Sequence, residues 1–145
     1  MANGKSVAIE EVPDEVFSTK MMGDGIAVIP DEGKIYAPCN GKISMIMDNT
    51  KHALGIETED GMELLIHVGL DTVNLSGEGF DVHVAVNDQV ETGELLISFD
   101  KDGLVSKGIN DITMLVVVET GGHEILNYHT NENVHINNSP LIEYK

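Results

Sequence analysis

At 145 residues the chain is long enough for one domain to bury a hydrophobic core without disulfide or metal staples. Its formal charge of −17 comes from 25 acidic residues against eight basic ones, all lysine, which disfavours nucleic acid and anionic lipid and favours a basic protein partner. Cys39, the single cysteine, can form neither an internal disulfide nor a cysteine zinc knuckle, no window approaches the roughly 18 apolar residues of a membrane span, and residues 1–5 lack a signal-like apolar stretch, so a soluble cytoplasmic protein is expected.

In chain order, short apolar or alternating runs predict strands over 26–29, 34–38, 43–47, 53–58, 62–70, 82–86, 95–99, 114–118 and 141–144. Turn signals separate them: Asp24-Gly25, Glu32-Gly33, Asn40-Gly41, Asp60-Gly61, Thr92-Gly93, Asp102-Gly103 and Gly121-Gly122. Helix is expected only as single turns at 12–19 and 121–127. The pattern predicts an all-β antiparallel sandwich or barrel in one domain over 1–145, without linker, low-complexity segment or fixed-period repeat.

The stretch from His52 to Asp71 reads as a hairpin turning at Asp60-Gly61. With a two-residue turn, Leu54 opposes His67 and His52 opposes Gly69, placing both histidines on one face as diagonal neighbours with β-carbons about 7–8 Å apart. A three-residue loop would break this register. By parity Met62, Leu64, Ile66 and Val68 point to a core, while Glu63, Leu65, His67 and Gly69 point outward, with Leu65, Leu54 and Ile56 adding apolar surface beside the imidazoles. Two imidazoles on an exposed face suit either of two chemistries. Neutral imidazole is a competent nucleophile toward a phosphoryl group, and its neighbour can hydrogen-bond the oxygens. Alternatively the pair could hold zinc, which needs a third ligand that is not evident nearby. The bland alternative is two unrelated histidines brought together by the hairpin.

His67-Val68-Gly69-Leu70-Asp71-Thr72-Val73-Asn74-Leu75-Ser76-Gly77-Glu78-Gly79-Phe80 resembles the phosphohistidine signature of the glucose-type enzyme IIA family of the bacterial sugar phosphotransferase system. Val12-Pro13-Asp14-Glu15-Val16-Phe17-Ser18, Met22-Gly23-Asp24-Gly25-Ile26-Ala27 and Ala37-Pro38-Cys39-Asn40-Gly41-Lys42-Ile43 resemble its other landmarks, with Cys39 in an apolar place. The family's first strand and Pro–Gly turn are represented only by a tail near 5–9. The resemblance implies the duplicated hybrid motif, a barrel-sandwich hybrid. It implies that His67 accepts a phosphoryl group from the histidine-containing phosphocarrier protein and donates it to a cysteine of a sugar-specific enzyme IIB of an enzyme IIB/IIC permease, supporting sugar uptake with phosphorylation. His52 would assist, and Thr50 stands where the family has a residue that hydrogen-bonds it. Asp14 and Asp71 would meet basic partner residues, and Val16, Phe17, Met22, Met47, Leu65 and Val73 would form an apolar docking patch. Met45, Met62 and Met114 are expected in the core. No cofactor is required, although His52 and His67 with a partner's carboxylate could hold zinc. Regulated transporters or kinases are further partners that the resemblance allows.

Other classes fit less well. A zinc metallopeptidase of compact β architecture needs a His-x-His pair, absent among His52, His67, His83, His123, His129 and His135, and a lipoyl or biotinyl carrier needs its lysine in a hairpin-tip motif that does not occur. No role is assigned to the last four histidines. Cys39 reads as a small buried residue rather than a thiol phosphoacceptor.

Overall fold

A computed structural model describes residues 1–135 and 141–145. Its strands are β1 (Gly4–Ala8), β2 (Asp24–Pro30), β3 (Lys34–Tyr36), β4 (Gly41–Ile46), β5 (Ala53–Thr58), β6 (Glu63–Val68), β7 (Phe80–Val82), β8 (Gln89–Val90), β9 (Leu95–Phe99), β10 (Thr113–Glu119), β11 (Ile125–Tyr128), β12 (Asn133–Val134) and β13 (Ile142–Tyr144). Helix is confined to α1 (Glu15–Ser18), α2 (Lys101–Ser106) and two 3-10 turns, Ile9–Glu11 and Thr72–Leu75. The expectation of an antiparallel all-β fold with little helix therefore holds. Among the described residues no helix is long and apolar enough to cross a membrane.

An eight-stranded sheet runs β12-β1-β2-β10-β6-β5-β4-β8, beside a three-stranded sheet β3-β9-β7 and a β11-β13 pair. Alternation along the long strands gives the large sheet two apolar faces. Ile26, Val28, Leu54, Ile56, Leu64, Ile66, Val68, Leu115 and Val117 pack with Ile35, Ile97 and Phe99 of the small sheet in the main core. Residues of opposite parity, Val7, Ala27, Ala53, Leu65, Met114 and Val116, form a smaller core roofed by Ile9, Val12 and Phe17. That roof matters because His67 shares the parity of Leu65.

Several local expectations change in three dimensions. The tail at the N-terminus forms a full strand, β1, bonded to both β2 and β12. The 121–127 segment is a Gly-Gly turn followed by β11, because residues 125–128 pair with the distant β13. Asp102-Gly103 lies inside α2, whose first turn is capped by the Asp100 carboxylate accepting from the Gly103 N–H at 3.1 Å. The expected strand at 82–86 occurs as β7, which starts two residues earlier, at Phe80, and ends at Val82.

Candidate functional site

The hairpin β5–β6 turns through three residues, not two. Thr58 N–H donates to the Met62 carbonyl at 2.9 Å and Gly61 N–H to the Thr58 carbonyl at 3.1 Å, with Gly61 at φ 93°. This is a type I turn closed by a left-handed glycine, which a side chain at that position would strain. The register consequently places Ala53 opposite His67 and Gly55 opposite Leu65. The expected pairings of Leu54 with His67 and His52 with Gly69 are thereby corrected. Leu54 and Ile56, expected beside the imidazoles, instead lie fully buried in the main core.

The two histidines nevertheless meet. Their ring centroids are 4.5 Å apart with planes at 85°. His52 lies just before β5 and its carbonyl accepts from the Val68 N–H at 2.7 Å. Strict alternation would send its ring to the main core beside Leu54. Lys51 stands in the left-handed region at φ 57°, within a loop closed by Met47 N–H donating to the Ala53 carbonyl at 3.0 Å. That local turn breaks the strand's alternation, and the ring reaches His67 instead.

His67 sits on β6 between Ala53 of β5 and Met114 of β10. Ala53 is short, which leaves room for the imidazole of His52. Immediately after β6 the chain bends at Gly69, φ 77°, where a β-carbon would come within 2.5 Å of the Thr72 methyl. The Thr72 hydroxyl closes this bend by donating to the Val68 carbonyl at 2.6 Å. Asp71 follows in the left-handed region, φ 58°, exposed at the rim.

A depression of about 320 Å³ opens over the histidines. Asp14, Val16, Phe17, Met22, Met47, Leu65 and Asp71 line it with His52 and His67, so the residues expected as a docking patch are gathered in one place. Val73 lies outside the residues whose side chains are described. Met45, expected in the core, is 39% exposed and also lines the depression, whereas Met62 and Met114 are buried as expected. Alternation alone would bury Met45 with Ile43; the register shift between them in β4 breaks that parity and leaves Met45 on the surface. Phe17 and Leu65 are nearly inaccessible and form the floor, while Val16, Met22, Met45 and Met47 form an apolar rim.

Electrostatically the site favours neutral imidazole. Burial pushes His67 down to about 4, and the neighbouring His52 adds to that effect; the Gly69 backbone and the Asp14 carboxylate pull weakly the other way. His52 is lowered too, chiefly by burial and partly opposed by the Thr50 backbone. The Nδ1 atoms of both rings and the Thr50 hydroxyl are buried without a hydrogen-bond partner. It is therefore the main chain of Thr50, not its hydroxyl, that acts on His52. With Nδ1 sealed, Nε2 is the ring nitrogen of His67 that another molecule can reach. Among the described residues no group of three His, Cys, Asp or Glu could hold a metal ion. Cys39, expected to be buried, is only half-buried; it stands apart from the depression, its thiol pushed up to about 11 mainly by burial. Such a thiol is a poor nucleophile.

Residues 1–122 match the model of a family described as phosphoenolpyruvate-dependent sugar phosphotransferase system, EIIA 1. Among solved structures, glucose permease IIA from Mycoplasma capricolum is similar at a TM-score of 0.88 and 34% sequence identity, over 97% of this chain and 90% of that one.

Proposed function

Since the chain belongs to the EIIA 1 family of the phosphoenolpyruvate-dependent sugar phosphotransferase system and is a phosphocarrier component of it, we propose that His67 is the residue that carries the phosphoryl group. It receives the group from the histidine-containing phosphocarrier protein and gives it to a cysteine of a sugar-specific enzyme IIB. The observation that carries this reading is a single one: an imidazole held neutral, with Nδ1 buried, in a ring that lines an apolar depression.

In the accepting step the Nε2 lone pair forms a phosphorus–nitrogen bond. The bond to the donor's nitrogen breaks, and its electron pair returns to that nitrogen. In the onward step a thiolate lone pair attacks phosphorus and the Nε2 pair is returned to His67. Both displacements demand in-line placement and charge stabilisation more than covalent work by the protein. In this reading His52, whose ring lies 4.5 Å from that of His67, hydrogen-bonds the phosphoryl oxygens. The chain has no arginine, so positive charge for the transferring group comes with a basic partner drawn to Asp14, Asp71 and the acidic surface, and leaves with it. The apolar rim of Val16, Met22, Met45 and Met47 suits docking of another protein's face better than enclosure of a small molecule. Zinc would need a ligand from a partner beyond His52 and His67, and no step requires it.

The test is to incubate the protein with phosphoenolpyruvate, enzyme I and the general phosphocarrier, then map the acid-labile phosphate. One phosphate per chain on His67 is expected, with none taken up by a folded His67→Ala variant. Stoichiometric labelling of that variant, or labelling mapped to His52, overturns the assignment.

A further inference from the structure

Adjacent residues of α1 have opposite surroundings. Val16 is 41% exposed on the rim, whereas Phe17 is only 4% exposed and packs in the smaller core. The Phe17 ring lies 4.9 Å from the His67 ring, centroid to centroid, with planes inclined at 58°. His52 occupies a second side at 4.5 Å. Both separations are those of rings in contact. Rotation of the His67 ring out of this arrangement must displace one neighbour or the other.

The segment that carries Phe17 is itself fastened. The Asp14 carboxylate caps α1 by accepting from the Val16 N–H at 2.9 Å, and the Asp14 carbonyl accepts from the N–H groups of Phe17 and Ser18 at 3.2 and 2.9 Å. At the exit, the Thr19 hydroxyl donates to the Glu15 carbonyl at 2.5 Å. Lys20, left-handed at φ 62°, pairs with Glu10 at 3.1 Å and Asp24 at 3.5 Å, tying α1 to the preceding 3-10 turn and to β2.

We propose that Phe17 is a positioning residue for His67: it holds the imidazole against His52 with Nε2 toward the depression and keeps water from Nδ1, rather than meeting a partner protein. The phosphocarrier reading is assumed only for the kinetic consequence, since the state of the ring can be measured with no partner present. The two roles open to Phe17 separate cleanly. A docking contact sets how well the donor protein binds, whereas a positioning residue sets how fast the group moves once the donor is bound.

Phe17→Leu, which keeps most of the volume but not the flat ring, and Phe17→Ala are compared with the wild type by circular dichroism, by histidine-selective NMR titration and by single-turnover transfer from the phosphorylated general phosphocarrier. In Phe17→Leu the His67 midpoint is expected to rise by about one pH unit as water gains access to the ring. The maximal transfer rate should fall about tenfold, and further in Phe17→Ala, with the half-saturating donor concentration within about twofold of wild type. An unchanged His67 titration in folded Phe17→Leu overturns the proposal. So does a raised half-saturating concentration at an unchanged maximal rate, which makes Phe17 a docking contact. Should Phe17→Ala unfold, the leucine variant decides alone. Should even the wild type accept no phosphate, the phosphocarrier reading fails while the titration still decides whether Phe17 holds the ring.

Discussion

The two ends of the β5–β6 hairpin are built from the same strands and handle their polar groups in opposite ways. At the turn, Thr58 Oγ1 accepts from the Met62 N–H at 2.9 Å and donates to the Asp60 carboxylate at 2.5 Å. The Tyr144 hydroxyl donates to the other Asp60 oxygen at 2.6 Å. His123 faces the Asp60 carbonyl through Nε2 at 2.8 Å and the Lys145 carbonyl through Nδ1 at 3.2 Å. At the other end Thr50 Oγ1 and the Nδ1 atoms of His52 and His67 have no partner at all. The histidines titrate accordingly: His123, with an acceptor on each nitrogen, is raised, first by the Asp60 backbone, and His67 is lowered to about 4, chiefly by burial and then by His52. One end spends its polar groups on structure. The other leaves them unpaired, which costs stability and leaves a nucleophile ready.

The comparison is most exposed to failure at His52, because an unpaired imidazole is useful there only if it acts on the transferring group. His52→Ala should cost ~10²–10³ in single-turnover rate, the usual loss for one charge-stabilising donor at a preorganised site. Donation to the thiolate should fall more than acceptance, since the basic donor protein partly offsets the missing group. Wild-type rates in both directions would make His52 a bystander and reduce the contrast to one histidine.

Acid should distinguish the two ends by sign. His67 has a folded midpoint of about 4 against an unfolded value near 6.5, so the unfolded chain binds more protons between those values. The stability it contributes is present above about 6.5 and lost as pH falls toward 4, on the order of 3 kcal/mol in all. His123, raised, contributes below its unfolded midpoint and loses that contribution as pH rises through its folded one. Urea midpoints of the wild type and His67→Ala between pH 7 and 4 would sharpen this. The difference between the proteins should shift in favour of the variant on acidification, and a pH-independent difference would mean that His67 is not held neutral by the fold. By the same reasoning, phosphoryl acceptance should change less than about twofold between pH 8 and 5.5, where an unperturbed imidazole loses most of its neutral form.

The smallest effect is expected at the structural end. Tyr144→Phe removes one hydrogen bond to Asp60 and should cost about 1 kcal/mol in chemical denaturation, with phosphoryl acceptance unchanged. A slowed transfer in Tyr144→Phe would mean that the two ends are coupled and that the division between them is false.

The sequence by itself determined the all-β class, the family and most of the strands. Alternation in β5 and β6 separated Leu64, Ile66 and Val68 from Leu65 and His67, and the spacing of glycine turns marked an antiparallel all-β chain, because these patterns follow from the pleat and from backbone sterics that each residue carries locally. The paired histidines were legible within one hairpin, and the motif after His67 pointed to the family. What remained for the tertiary structure was everything that depends on distant partners. The register turned on whether Gly61 takes the left-handed place in a three-residue loop, a choice that the residues at the turn leave open. His52 reaches His67 through a left-handed Lys51, against the alternation of its own strand. Met45 became surface and 125–128 became strand through pairings that a short window cannot contain. Phe17 lies fifty residues from His67 in sequence, and only when the N-terminal segment folds across the sheet does it press on that ring and exclude water. Burial is a property of the assembled chain, so the neutral imidazole on which the proposed chemistry depends was decided there.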